Sequence, residues 1–430
     1  MKTIIKTLYG MLAMLTFTAC SSNTDEAIND TPIWHVTLTA SMDDEATRAL
    51  SEGTGNRIIA GFAENDVVVV VDADGNTVGT LKAKTAGAST TIEGTISGVG
   101  TSDVLTFRYR SATANYDNQN GTLTGIADNQ DYAEGTLTVT ATSPDLTLSS
   151  NHVTLAAKQS ITKFSFTDGT NDVSVKTFGI AAVGLVQSIA ADATSTETVG
   201  AVTGTLTTAA SDVYVALRNN SGAQQTYSFT IMDNDGNWYT GTKKANLANG
   251  KNYIATVKLT KLQELTSSSA VGTIGVVGGL PAIAISSNKA VALMNTGALC
   301  PEDYGKYYTF VNKASELPTG WRVPTQTELE DLAAITNSWG APNGVNGRKF
   351  TIGDHVLFLP AAGLYDNDPT PATGLSDVSI HGYYWSSTAS SDDALALRLN
   401  FYEPDNTDSN ISVGGDAKVN ALTVRPFHDL

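Results

Sequence analysis

Apolar and polar residues alternate with period two over short stretches of this chain, and Gly, Asn and Asp separate the stretches. The first, Trp34-His35-Val36-Thr37-Leu38-Thr39-Ala40, predicts a strand covered on one face. Four more strands are predicted at 67–71, 77–82, 90–96 and 104–109, at the short spacing of a sandwich. A second block starts near Val153 and includes 161–166, 213–217, 227–232, 238–242 and 253–259. Between the first strand and the rest, residues 41–56 are acidic and Gly-rich and read as an exposed connection. Arg48 is the first basic residue after Cys20.

The two blocks echo each other. Asp72-Ala73-Asp74-Gly75-Asn76 and Asp233-Asn234-Asp235-Gly236-Asn237 each lie between two alternating runs, as a tight hairpin whose Asp-Gly supplies the positive φ angles would. The competing reading is a calcium loop. An EF-hand loop needs a bidentate acid at its twelfth position, which falls on Ala83 and Lys244, so these are turns. Leu265-Thr266-Ser267-Ser268-Ser269-Ala270 is a small polar linker, and beyond it the pattern changes. Thr325 with Glu328 forms a capping box for a helix whose Leu329, Leu332 and Ala333 share one face. Trp321, Trp339 and Trp385 make the last region a core built on aromatic anchors.

Composition agrees with exposed β-structure: charged residues are 16% and aromatics 7%, with many Thr, Ser, Ala, Val and Gly. A length of 430 residues implies two or three cores. The net charge of -17, without a basic patch, excludes nucleic acid and anionic membrane surfaces as partners. Lys2, Lys6 and the short apolar run 8–18 read as an export signal. Phe17-Thr18-Ala19-Cys20 resembles a lipobox, with Phe17 where Leu is usual, so Cys20 is the expected lipidation site. Each acyl methylene buried in a membrane adds about 0.8 kcal/mol, so two or three chains anchor the protein. The other cysteine, Cys300, has no disulfide partner in the chain; it reads as a small buried hydrophobe, with a catalytic thiol as the sharper alternative. His35, His152, His355, His381 and His428 are scattered without metal-ligand spacing.

Several of these features in order resemble the Bacteroidales-type fimbrillins. They are the lipobox, the first strand, the Thr47-Arg48-Ala49 turn, the strand entered through Glu64-Asn65-Asp66-Val67, the Lys163-Phe164-Ser165-Phe166 strand and the closing strand at Leu247-Ala248-Asn249-Gly250-Lys251-Asn252-Tyr253. The resemblance covers roughly residues 20–262. It implies two transthyretin-like β-sandwiches, over residues 21–150 and 151–262, after a signal peptide at 1–20. It also implies assembly by donor-strand exchange: an arginine-specific protease cuts between Arg48 and Ala49, the first strand leaves, and a strand from another subunit fills the groove.

After the 263–270 linker, residues 271–430 resemble something else. Gly320-Trp321-Arg322-Val323-Pro324-Thr325, Phe358-Leu359-Pro360-Ala361-Ala362-Gly363, Gly382-Tyr383-Tyr384-Trp385-Ser386-Ser387-Thr388 and Val424-Arg425-Pro426 look like the α+β C-type-lectin-like fold. The branch is the disulfide-free one related to the Fibrobacter paralogous and formylglycine-generating domains. Trp321 and Trp385 read as core anchors, and Arg322 and Arg425 as residues that hold loops or termini. Ligand work in that fold belongs to its long loops. Here these carry Tyr365, Asp366 and Asp368, and Tyr402, Glu403 and Asp405. Glu403-Pro404-Asp405 resembles the Glu-Pro-Asn sugar and calcium motif, but departs from it at Asp405 and lies after the Trp-Ser-Ser strand rather than before its counterpart. A solvated acidic loop and a calcium site both remain open there, and no other cofactor is expected.

The whole chain therefore reads as mainly β: two sandwiches followed by the α+β domain. The leading functional expectation is a pilus subunit at the fimbrial tip, non-enzymatic. Its lipid would hold it at the outer membrane before processing, its partners would be other pilus subunits, and its ligand a surface glycan or protein. The alternatives are a monomeric lipid-anchored glycan-binding lipoprotein and a surface glycan-active enzyme.

Overall fold

The computed structural model describes residues 31–42, 61–190, 195–366, 374–403 and 410–430, together with the backbone of the short strands Ser51–Glu52 and Ile58–Ile59. Cys20, Arg48, Ala49, Asp368 and Asp405 lie outside them.

The chain is mainly β, as its alternation predicts. Seven longer strands, with the two-residue strand Thr147–Leu148 at one edge, build the first body: β1 Ile33–Met42, β2 Val67–Val71, β3 Thr77–Ala83, β4 Ser89–Ser97, β5 Val104–Tyr109, β6 Ala133–Ala141 and β7 His152–Ala157. They pair in the order β6-β7-β1-β4-β3-β2-β5, and β5 pairs with β6 as well, so the sheet closes on itself. Closure removes the exposed edges that an open sheet would leave. The core inside is Val36, Leu38, Ala40, Met42, Val68, Val70, Leu81, Ile92, Phe107 and Tyr109 with their neighbours. Two boundaries differ from the sequence pattern. β1 runs on through Ser41 to Met42, which is 6% exposed, because Met42 continues the buried alternation. β7, which the pattern groups with the second block, pairs with β1 and β6, so the first sheet ends at Ala157.

The second body begins at once. Besides the short strands Ala114–Asn115 and Glu197–Val199, its strands are β8 Ser160–Thr167, β9 Val175–Ala181, β10 Leu185–Ile189, β11 Val202–Ala210, β12 Asp212–Asn219, β13 Gln225–Asp233, β14 Trp238–Ala245 and β15 Asn252–Lys261. Their order is β10-β12-β8-β15-β14-β13-β9-β11. Phe164, Phe166 and Phe229 pack edge to face and tilted at the centre of this core. A helix not predicted from sequence, α1 Leu123–Asn129, packs beside it, capped by Thr122, whose Oγ1 accepts from Gly125 N–H at 2.9 Å.

Both predicted hairpin turns form, and they share one geometry. Asp72 Oδ1 accepts from Asp74 and Asn76 N–H at 2.9 and 2.8 Å. Asp233 Oδ1 accepts from Asp235 and Asn237 N–H at the same two distances. Only the glycines take positive φ, 82° at Gly75 and 81° at Gly236. The aspartates before them do not, because one left-handed residue is enough to reverse the chain in this longer turn.

The C-terminal region holds a five-stranded sheet, a four-stranded sheet, two three-stranded sheets and the predicted helix, α2 Gln326–Ala334. Its capping box is present in both directions between Thr325 and Glu328. Two further strands matter below, β16 His381–Ala389 and β17 Leu395–Tyr402, which pair antiparallel. The junction with the second body is packed. Trp238 of β14 is 4% exposed, buries its ring in the C-terminal core and donates from Nε1 to Gly279 O at 2.9 Å. A Cβ built on Gly179 of β9 would sit 2.6 Å from Cys300 Cβ, so only glycine admits this close approach. Leu265, in the predicted linker, is 5% exposed and its N–H donates to Val276 O at 2.7 Å. Residues Ile33–Leu430 make up one compact unit.

Candidate functional site

The first candidate is β1 itself. Its side chains Val36, Leu38, Ala40 and Met42 point inward at 8, 3, 0 and 6% exposure, and the residues between them face out. On one edge β1 pairs antiparallel with β4, from Ile33 with Ser97 to Ser41 with Ser89. On the other it pairs in parallel with β7, from Thr39 with His152 to Met42 with Leu155. Taking β1 out would open the closed sheet between β4 and β7 and leave backbone donors and acceptors unpaired on both new edges. It would also strip three large apolar side chains from the core, at about 1.5–3 kcal/mol each. That loss, roughly 5–9 kcal/mol, is the size of a whole domain's stability, about 5–15 kcal/mol. The body without β1 needs a replacement strand of the same register.

The second candidate is a corner of the C-terminal region where the two acidic loops leave the sheets. Tyr365 lies at the end of a short strand beside Ala421, and its ring meets Tyr307 edge to face at 5.2 Å. The exposed Asp366 follows, with Ser376 Oγ 3.5 Å from its Oδ2. Tyr402 ends β17, opposite His381 at the start of β16. Asn410 closes the mouth of the second loop: its backbone carbonyl accepts from Tyr402 N–H and its Nδ2 donates to Glu403 O, both at 3.1 Å. Gly363 N–H donates to His381 O at 2.9 Å, which brings the stems of both loops together.

Between the stems runs an aromatic ladder that the sequence reading did not assemble. The rings of Tyr383 and His381 stack at 5.5 Å and 3°, and His381 meets Tyr402 at 5.3 Å. The Arg398 guanidinium sits 4.5 Å above the Tyr383 ring and pairs with Asp416. Tyr383 donates to Asp377 Oδ2 at 2.8 Å; burial first, and then this carboxylate, push its hydroxyl pKa up. The signal was available as the alternation His381-x-Tyr383-x-Trp385, which places three rings on one strand face. Histidines weighed one by one for metal spacing hide it. The ladder offers the half-buried rings of His381 and Tyr402, backed by the buried Tyr383, next to oxygen-rich loops, which suits stacking and hydrogen bonding.

The motif residues of this region hold structure. Trp385 is fully buried and donates to Tyr308 O at 2.7 Å. Trp321 is 6% exposed and donates to Gly278 O at 3.2 Å. Arg322 grips Glu328 through both Nη atoms at 2.7 Å each and reaches Asp429 at 2.8 Å. Arg425 is fully buried and donates to the Ala292 and Phe358 carbonyls, both at 3.1 Å. Burial pushes its guanidinium down to about 10, with Tyr384 and Glu302 acting the other way. Cys300 is 2% exposed, and burial, with Glu302 and Asp303 adding to it, raises its thiol pKa, so it is held as the thiol rather than the nucleophilic thiolate. Among the described residues no group of three or more His, Cys, Asp and Glu is placed to hold a metal ion.

No family model matches the chain, and no curated protein matches it. Solved structures that resemble it in part include bacterial adhesion, fimbrial and pilin proteins. A Bacteroides uniformis protein provisionally assigned to cell adhesion is 14% identical, with 53% of this chain and 96% of that one covered and a TM-score of 0.32. The tip fimbrial protein Mfa3 from Porphyromonas gingivalis, truncated at its C-terminus, is 9% identical over 54% and 98%, with a TM-score of 0.26. A fimbrial protein from Bacteroides ovatus is 11% identical and covers 91% of this chain and 99% of its own length, with a TM-score of 0.25. At these scores neither a shared fold nor a shared function follows, and adhesion and fimbria formation remain properties of those proteins.

Proposed function

We propose that the chain is a cell-surface pilus subunit that accepts a partner's strand in place of β1. In this reading Cys20 carries the lipid that holds the precursor at the outer membrane, and a cut between Arg48 and Ala49 frees β1 with that lipid. A strand of another subunit then restores the register against β4 and β7 by β-augmentation. The observation that carries the reading is the place of β1: central in a closed sheet, buried on alternate residues, and tied to the rest of its body through one connection. The first two bodies are read as transthyretin-like sandwiches and the C-terminal region as a C-type-lectin-like domain.

The C-terminal domain is the adhesive part. Phe427 is fully buried in a strand that pairs on both sides within the domain, so residues 427–429 serve its own core and are not free to fill a neighbour's groove. An acceptor with an independent domain beyond its sandwiches suits the distal tip. The ligand, a surface glycan or protein, meets the corner formed by the His381 ladder and the loops that carry Tyr365, Asp366, Asp368, Tyr402, Glu403 and Asp405. Mass spectrometry of the protein taken from the surface of its host tests the reading. A mature N-terminus at Ala49 supports it. A single species that begins at lipid-bearing Cys20 overturns strand exchange and leaves an anchored binding lipoprotein.

A further inference from the structure

A cleft of about 590 Å³ separates the outer face of β13, β14 and β15 from the C-terminal region, away from the ladder corner. Its sheet wall is a grid of hydroxyls with Lys258 beside it. Thr230, Thr240 and Thr260 stand directly opposite one another across three strands, and Ser228 stands opposite Thr242. Strands lie about 4.8 Å apart, so the oxygens form a regular flat array. Among the described residues none of Thr240, Thr242 and Thr260 has a side-chain hydrogen-bond partner, so their hydroxyls are available to a ligand. The facing wall is apolar, with Leu293, Pro301, Pro342, Val356 and Phe358. One charged group is set into it: Glu302, 8% exposed, whose Oε1 accepts from Asn343 Nδ2 at 2.6 Å. The cleft persists as a cleft because the joint beside it is fixed by Trp238 and by the close contact of Gly179 with Cys300.

We propose that this cleft is a binding site for a neutral saccharide of one or two rings. A pyranose has a C–H face and a rim of hydroxyls, which match an apolar wall opposite a hydroxyl grid. Glu302, a buried acceptor already oriented by Asn343, accepts a hydrogen bond from a sugar hydroxyl. The volume falls in the range of small-ligand pockets, roughly 300–1,000 Å³, which occur preferentially where domains meet. Strand exchange is not required for it.

Saturation-transfer NMR on the full chain, with methyl β-glucopyranoside, methyl β-galactopyranoside and N-acetylglucosamine at millimolar concentration, tests it. At least one probe is expected to bind. The double substitution Thr240→Val/Thr242→Val keeps β-branched side chains on the strand and removes two hydroxyls, so binding should fall by on the order of tenfold. Glu302→Gln should weaken it by a similar factor, whereas Tyr402→Ala in the ladder corner should leave it unchanged. Absence of transfer to all three probes overturns the proposal. So does binding that survives the double substitution in a chain shown by circular dichroism to be folded, or binding that Tyr402→Ala abolishes.

Discussion

The first strand of each of the first two bodies occupies the same place. β1 lies between an antiparallel neighbour, β4, and a parallel one, β7; β8 lies between antiparallel β12 and parallel β15. Both strands are central, and both carry alternate buried side chains. Their covalent context differs. β8 follows β7 after two residues and leads on to β9, so it is threaded through the chain at both ends. β1 is joined to the rest of its body only through the segment that holds Arg48. Identical sheet positions thus carry different consequences: one cut can free β1, while no single cut frees β8. Removability is a property of connectivity rather than of packing.

The largest effect that would break this comparison comes from deleting residues 33–42. The first body should lose roughly 5–9 kcal/mol, enough to unfold it, while the second keeps every strand. Hydrogen exchange followed by mass spectrometry should show protection lost over 67–109 and 133–157 and retained over 160–261 and over 114–132, which pack into the second core. A peptide with the sequence of residues 33–42 should restore it when added in trans. Protection lost over both bodies would mean that they fold as one cooperative unit, and would take away the basis for exchanging β1 alone.

Point substitutions sharpen it. Phe164→Ala in β8 removes a ring packed against Phe166 and Phe229 and should cost about 3–5 kcal/mol. Leu38→Ala in β1 should cost about 2–5 kcal/mol, measured by denaturant unfolding. The β1 change should be reversed by an added wild-type β1 peptide under strand-exchanging conditions, and the β8 change should not.

The strands themselves were legible because period-two alternation is local. What closes them was not. The pairing of β5 with β6, the capture of β7 by the first sheet and the passage of Trp238 into the C-terminal core all join residues far apart in sequence or reassign a strand that looks the same in either body. α1 escaped because its Leu123-Thr124-Gly125-Ile126 start has neither charge nor a clear apolar stripe. The α2 capping box is a four-residue signature and was readable. At the ladder corner the loop residues Tyr365 and Tyr402 were chosen by composition, whereas His381 acquires its meaning only from the register that sets it opposite Tyr402.

The α2 signature also yields a pH effect. Burial alone would raise the Glu328 carboxyl, but hydrogen bonds from Arg322, Thr325 N–H and Lys289 hold it well below the usual carboxylate range. A depressed carboxyl stabilises the fold fully above its unfolded pKa, near 4.5, and the contribution is lost as pH falls from there. Glu328→Gln should cost about 2 kcal/mol near neutral pH, intermediate because Arg322 is half-buried. It should cost progressively less in acid, as seen in thermal midpoints taken across pH.

The smallest effect returns to the twin turns. Gly75→Ala and Gly236→Ala each place a Cβ at φ near 80°, and at Gly236 no other atom lies within 4 Å of it, so the cost is backbone strain of about 1–2 kcal/mol. If the turns are purely local, the two costs agree within a few tenths of a kcal/mol. They differ in their attachments: Asn234 N–H donates to Ser174 O at 3.1 Å. Asp233 Oδ2 also accepts from the Tyr239 hydroxyl at 3.0 Å, next to the Trp238 that anchors the C-terminal region. A larger cost at Gly236, accompanied by increased exchange at the Trp238 indole N–H, would mean that this turn sets the joint between the bodies, while its twin at Gly75 only reverses the chain.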